Sequence, residues 1–184
     1  MGQRSQIYVR YNGKLIIANY YGWNYGERMI SRARYGIEYL KTHIQYDWYF
    51  RDPTYLKKFS RMFDVNFDIH DIAISSDIIR EHREEFPEED FNGFVFDYQD
   101  NNDGQLFVDI QNEEIFYCFR NPYDNKIMDA GQYMEWDAED WQQSENISDA
   151  GKTALVENIK EIKNLAKLMS EEQLNNFLHG NYSD

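Results

Sequence analysis

The chain contains the residue types that do chemistry, but not in the spacings that chemistry needs. His43, His70, His82 and His179 are scattered along 184 residues together with a single cysteine, Cys118. No HExxH, CxxC or GxGxxG pattern occurs, so there is no helix-borne zinc pair, redox dithiol or dinucleotide turn. Asp68-Ile69-His70-Asp71 offers ligand types, yet strand alternation puts Asp68 and His70 on one face and Asp71 on the other. Asp100-Asn101-Asn102-Asp103-Gly104 has the composition of a calcium loop without its order. With Gly104 at the obligatory glycine, Gln99 falls where an aspartate is needed and Ile110 where a bidentate glutamate is needed. That stretch reads as a hairpin turn. Glu161-Ile162-Lys163 lacks the strand aspartate that would help it hold a metal for hydrolysis. Cys118, inside the apolar run 115–119, reads as a buried thiol and has no partner for an internal disulfide. No catalytic residue, metal or cofactor is expected.

Binding chemistry is better represented. The net charge is −14, but residues 1–62 hold 11 Lys/Arg against 4 Asp/Glu, whereas residues 63–150 hold 4 against 24. A domain with that polarity attracts partners of opposite sign at different places. In the basic third, Arg28, Arg32, Tyr35 and Tyr39 recur on one side of a helix, combining guanidinium forks for phosphate or carboxylate with stacking rings. They are candidates for contact with a partner or nucleic acid, or for pairing with the acidic middle of the same chain. In that middle, Asp97, Asp100, Asp103, Asp109, Glu113, Glu114, Glu135, Asp137, Glu139 and Asp140 are interleaved with aromatics, Trp136 and Trp141 among them. Negative charge with aromatic anchors suits a surface that occupies a Lys/Arg-lined nucleic-acid channel.

These groups must be held by elements that the sequence outlines. Ile7 and Val9 alternate with Tyr8 and Arg10, Asn12-Gly13 supplies a hairpin turn, and residues 14–21 return as a second strand. Asn24 and Glu27 predict a capping box for a helix whose Gly26, Met29, Ile30, Ala33, Ile37, Leu40 and Ile44 form a buried stripe. Asp52-Pro53 starts a second helix, and Asp77 closes a run that caps a charged third. Residues 91–99, 105–111 and 114–120 predict a three-stranded antiparallel meander. Residues 121–147 resist assignment. Ser148-Asp149 caps a long amphipathic helix, and Ser170 with Gln173 boxes a short last one. The expectation is a single α+β domain over residues 1–184: an N-terminal β-hairpin and helices, the meander, and C-terminal helices. No apolar run approaches the roughly 18 residues of a membrane span. The polar N-terminus carries no apolar signal core, so a cytoplasmic location is expected.

The opening Gly2-Gln3-Arg4-Ser5-Gln6-Ile7-Tyr8-Val9-Arg10, with Asn19-Tyr20-Tyr21-Gly22-Trp23-Asn24-Tyr25-Gly26-Glu27-Arg28-Met29, resembles short acidic proteins of phages and mobile elements of Gram-positive bacteria. The likeness covers about the first 40 residues. It implies an inhibitor of a bacterial defence nuclease, in the manner of anti-CRISPR proteins that act on Cas9, with a Cas9-like ribonucleoprotein as partner. The alternative is a nucleic-acid-binding protein or nuclease that uses the basic first third.

Overall fold

Two tight turns place the centre of the fold. Asn12-Gly13 joins β1 (Ser5–Tyr11) to β2 (Lys14–Tyr21), and Asn112-Glu113 joins β6 (Gln105–Gln111) to β7 (Glu114–Arg120). All four turn residues take positive φ, as two-residue hairpin loops of matching twist require. The computed structural model describes residues 3–88, 96–97 and 102–182. In it the two hairpins lie side by side, β1 running parallel to β6.

The rest of the sheet grows outward from that pair. β5 (Ser75–Asp77) extends one side next to β2, and β8 (Ile127–Met128) extends the other next to β7, with β9 (Lys167–Leu168) also pairing with β7. Antiparallel and parallel neighbours therefore mix, and helices cover both faces, an α+β arrangement. The predicted antiparallel pair 105–111 with 114–120 exists as β6-β7, and β8, from the unassigned stretch, adds antiparallel beyond β7. Of the meander's expected first strand, Phe96 and Asp97 sit in a helical turn, and the remainder of 91–99 falls outside the described residues.

On one face, Ile7, Val9, Leu106, Val108 and Phe119 pack beneath α1 (Gly26–His43), α2 (Pro53–Met62), α4 (Ala130–Asp137) and α5 (Asp149–Leu165). The stripe expected on α1 is the buried one, Met29, Ile30, Ala33, Ile37 and Leu40 all being fully inaccessible. On the other face, Tyr8, Phe107, Cys118 and Phe96 pack against α3 (Ile78–Glu85) and α6 (Glu171–Leu178) through Ile78, Leu174 and Phe177. This second layer explains why β1 is buried on both sides although its sequence alternates. Burial pushes the Cys118 thiol up to about 12, leaving it inert. A bulge between Val9 and Arg10 inserts Ile16 opposite β1 and shifts the alternation of β2. No helix among the described residues is long and apolar enough to cross a membrane.

Across the β1–β6 seam, similar residues meet rung by rung. Gln6 lies beside Gln105, Ile7 beside Leu106, Tyr8 beside Phe107 and Val9 beside Val108. Gln105 Nε2 donates to Gln6 Oε1 at 2.7 Å, and the Tyr8 and Phe107 rings stack with centroids 5.2 Å apart. The next rung is the exception, with Arg10 opposite Asp109. Nε and Nη2 of Arg10 donate to the two carboxylate oxygens at 2.9 and 2.7 Å, and the guanidinium lies 4.7 Å from the Phe177 ring centre. Burial works against the charge on Arg10, but Asp109 and Tyr182 outweigh it and hold the pKa above its ordinary value.

Two outcomes follow for stability. Asp109→Ala leaves a buried guanidinium without its counter-charge and should cost about 3–5 kcal/mol, measured as a lowered urea midpoint. Gly36 sits where a Cβ would lie 2.2 Å from the buried Phe63 ring. Gly36→Ala, which would add about 0.5–1 kcal/mol in an open helix, should here destabilise by about 1–3 kcal/mol in the same assay.

Candidate interaction surfaces

The basic stripe expected on α1 is turned inward. Arg32 is 1% exposed. It donates through Nη1 to Asn24 Oδ1 at 2.9 Å and through Nε to the Asp64 carbonyl at 3.4 Å, with Asp71 at 3.7 Å. Burial lowers its pKa, and Tyr21 and the two aspartates oppose that shift. Tyr35 packs its ring on Phe67 and donates to Asp68 at 3.4 Å. Tyr39 packs on His43 and Phe59, and Arg28 lies half-buried over Tyr25. The covering segment is the hairpin of β3 (Val65–Asn66) and β4 (Asp71–Ile72), which brings three aspartates to this flank. Spacing already held the clue: Arg32 is three residues from Met29 and four from Gly36, inside the buried sector.

The acidic candidates do not form one surface. Asp109 is buried against Arg10, and Trp141 is 5% exposed in the core. Glu113 and Glu114 sit on the β6–β7 turn, one strand length or about 20 Å from the Gly104 end of β6, and Glu114 accepts from Lys167 at 3.0 Å. Asp97 projects into solvent 3.4 Å from Arg120, and Asp100 lies outside the described residues. The remainder come together. Asp103, Glu135, Trp136, Asp137, Glu139 and Asp140 gather where α4 ends beside the start of β6. A Cβ at Gly104 would lie 3.0 Å from the Trp136 ring, which shows how closely that indole crosses β6.

Within this cluster Asp103 and Asp137 share a site. Asp137 Oδ2 accepts from the Gly26 backbone N–H at 2.7 Å and from the Tyr133 hydroxyl at 3.3 Å. Asp103 Oδ2 accepts from the Arg4 backbone N–H at 2.7 Å, and its carbonyl accepts from Tyr133 at 3.0 Å. The arrangement replaces the capping box expected at the start of α1. The N-cap is Tyr25, which gives no side-chain bond; Asp137, from 111 residues away, satisfies the first N–H instead. Asn24 is buried, bonded to Arg32 and Met29. Burial and the adjacent Asp103 charge push the Asp137 carboxyl up to about 7, against the pull of the Gly26 N–H. A backbone N–H reaches one oxygen of each carboxyl, from Gly26 to Asp137 and from Arg4 to Asp103, so the pair ties the starts of α1 and β1 to the end of α4. Among the described residues no group of three metal-ligating side chains converges.

A surface that sequence reasoning passed over lies beyond the C-terminal end of α1. Tyr46 and Trp48 are 55% and 52% exposed in and beside the 3-10 turn Asp47–Phe50. Four aromatics in the five residues 46–50, followed by Arg51, were the available signal.

The raised Asp137 carboxyl has a pH signature. A folded pKa of about 7 against an ordinary value of 3.8 means the group favours the folded state most fully below pH 3.8. That contribution is lost as pH rises through about 7. The unfolding free energy from urea titration should therefore fall between pH 5 and pH 8 by roughly 2–3 kcal/mol, and Asp137→Asn, which copies the protonated form, should flatten that fall. Comparison with known proteins returns no match: no family model fits the chain, and no curated protein or solved structure is similar to it.

Proposed function

We propose that the protein is a non-enzymatic phage-type inhibitor that binds a host defence nuclease, a Cas9-like effector, through an acidic, aromatic-bearing surface and blocks its nucleic-acid binding or activation. The observation that carries this reading is the group at the end of α4. Glu135, Glu139 and Asp140 are exposed and make no ion pair among the described residues, beside the half-buried Trp136 and the Asp103–Asp137 pair. What sets this group apart from the chain's other exposed carboxylates is the indole beside it, on a chain of net charge −14. An array of this sign next to an indole complements a channel built to hold phosphates. The resemblance of the opening to phage proteins supports this class of partner. The alternative, nucleic-acid binding by Arg28, Arg32, Tyr35 and Tyr39, would require Arg32 to leave its buried bonds.

The test is complex formation with a purified Cas9-type ribonucleoprotein across a salt series. Tight binding that weakens as salt rises is expected, and the triple variant Glu135→Lys, Glu139→Lys, Asp140→Lys should bind at least roughly tenfold more weakly with an unchanged melting temperature. No complex at low salt, or a triple variant that binds as well as the parent, would overturn the proposal.

A further inference from the structure

The aromatic surface after α1 is a rigid platform. Trp48 stacks on Tyr49 with ring centres 3.8 Å apart and meets the edge of Tyr55 at 5.4 Å. Tyr49 in turn packs edge-on against His43 and Tyr55. The turn that carries these rings is pinned to the sheet. The Tyr11 hydroxyl donates to Asp47 at 2.6 Å, and the Tyr11 ring stacks on Phe50 with centres 4.2 Å apart. One face of the Trp48 indole is taken by Tyr49, yet 52% of the residue stays in solvent. An exposed tryptophan held in place by other rings presents a stacking face at little entropic cost.

The rim of the platform is cationic. Lys58 Nζ sits 4.7 Å from the Tyr55 ring centre, and Arg51 is exposed, its bond to Asp47 being a solvent-facing pair of small worth. Lys14, opposite Tyr11 on the neighbouring hairpin, is exposed as well. Lys14, Arg51 and Lys58 are thus the exposed cations beside the rings, with Asp47 the carboxylate that Arg51 meets.

We propose that this platform binds single-stranded nucleic acid, with an unpaired base stacked on Trp48 and the flanking phosphates met by Arg51 and Lys58. Stacking tolerates any base because each has a π-face, and cations around the ring supply the sequence-independent remainder. A duplex keeps its bases stacked on one another and offers none to Trp48. A proline-rich peptide also packs on Tyr and Trp faces, but it brings no negative charge for the rim. The site is separate from the acidic group on α4 and does not depend on the function proposed for it.

The experiment uses the protein alone with labelled oligothymidylate, oligouridylate and a duplex of equal length, read by fluorescence anisotropy at low and physiological salt. Both single strands should bind, more tightly than the duplex and more weakly as salt rises. Trp48→Ala should weaken binding roughly tenfold or more, Trp48→Phe should retain most of it, and Arg51→Glu with Lys58→Glu should reduce the salt dependence. The unfolding midpoint of Arg51→Glu with Lys58→Glu should stay unchanged, since both side chains are exposed, and Trp48→Phe, which keeps a ring on Tyr49, controls for any stability lost in Trp48→Ala. Failure to bind single strands at low salt would overturn the proposal. So would equal affinity for the duplex, indifference to Trp48→Ala, or preference for a proline-rich peptide. No effector is present in the assay, so neither result bears on the acidic surface.

Discussion

The parallel seam between β1 and β6 is the constraint on which the rest of the molecule depends. It is covered by helices on both faces, so every backbone donor and acceptor along it must find its partner within the sheet. Its side chains are matched to the same end: glutamine bonded to glutamine, ring stacked on ring, and one charge of each sign where neither could be buried alone. β2 and β7 then extend the sheet on opposite sides, and each face of the seam receives one helical layer. A core shared in this way ties the basic N-terminal third to the acidic middle, because each contributes one strand of the central pair.

That tie changes how the charge asymmetry is to be understood. Part of the apparent opposition between the two segments is met inside the fold, at Arg10–Asp109 and at Arg32 with Asp64 and Asp71. What reaches solvent includes carboxylates around the end of α4 and cations beside the exposed rings of residues 46–58. Segment-level charge counts identify the sign of a chain region, not the sign of the surface it presents.

Local signals were legible in the sequence and non-local ones were not. The buried stripe of α1, the Asp52 cap, and the Ser148 and Ser170 caps are settled by residues within one helical turn of each other. The cap supplied to Gly26 by Asp137 spans 111 residues, and no window of local sequence contains it. Residues 121–147 resisted assignment although Asp129 and Gln132 form a capping box there, because α4 is short and contributes few buried positions to any periodicity. The cover over the second face of β1 is non-local for a related reason. Tyr8 and Arg10 are enclosed by Phe177 and Tyr182, which arrive from the far end of the chain.

The in-register seam also dictates the order in which the chain can fold. Each of its rungs joins residues 99 apart, as Ile7 with Leu106 and Arg10 with Asp109. The two hairpins close over two-residue loops and can form within microseconds. The seam between them must wait for the ends of a loop of about a hundred residues to meet, which places the molecule among slow, high-contact-order folders. During synthesis the first hairpin emerges long before its neighbour. Its inner strand then presents an open hydrogen-bonding edge and an uncompensated Arg10 until β6 is made. The arginine at that edge serves the nascent chain as well as the finished one, since a charge on an unpaired strand discourages strands of other chains from adding to it.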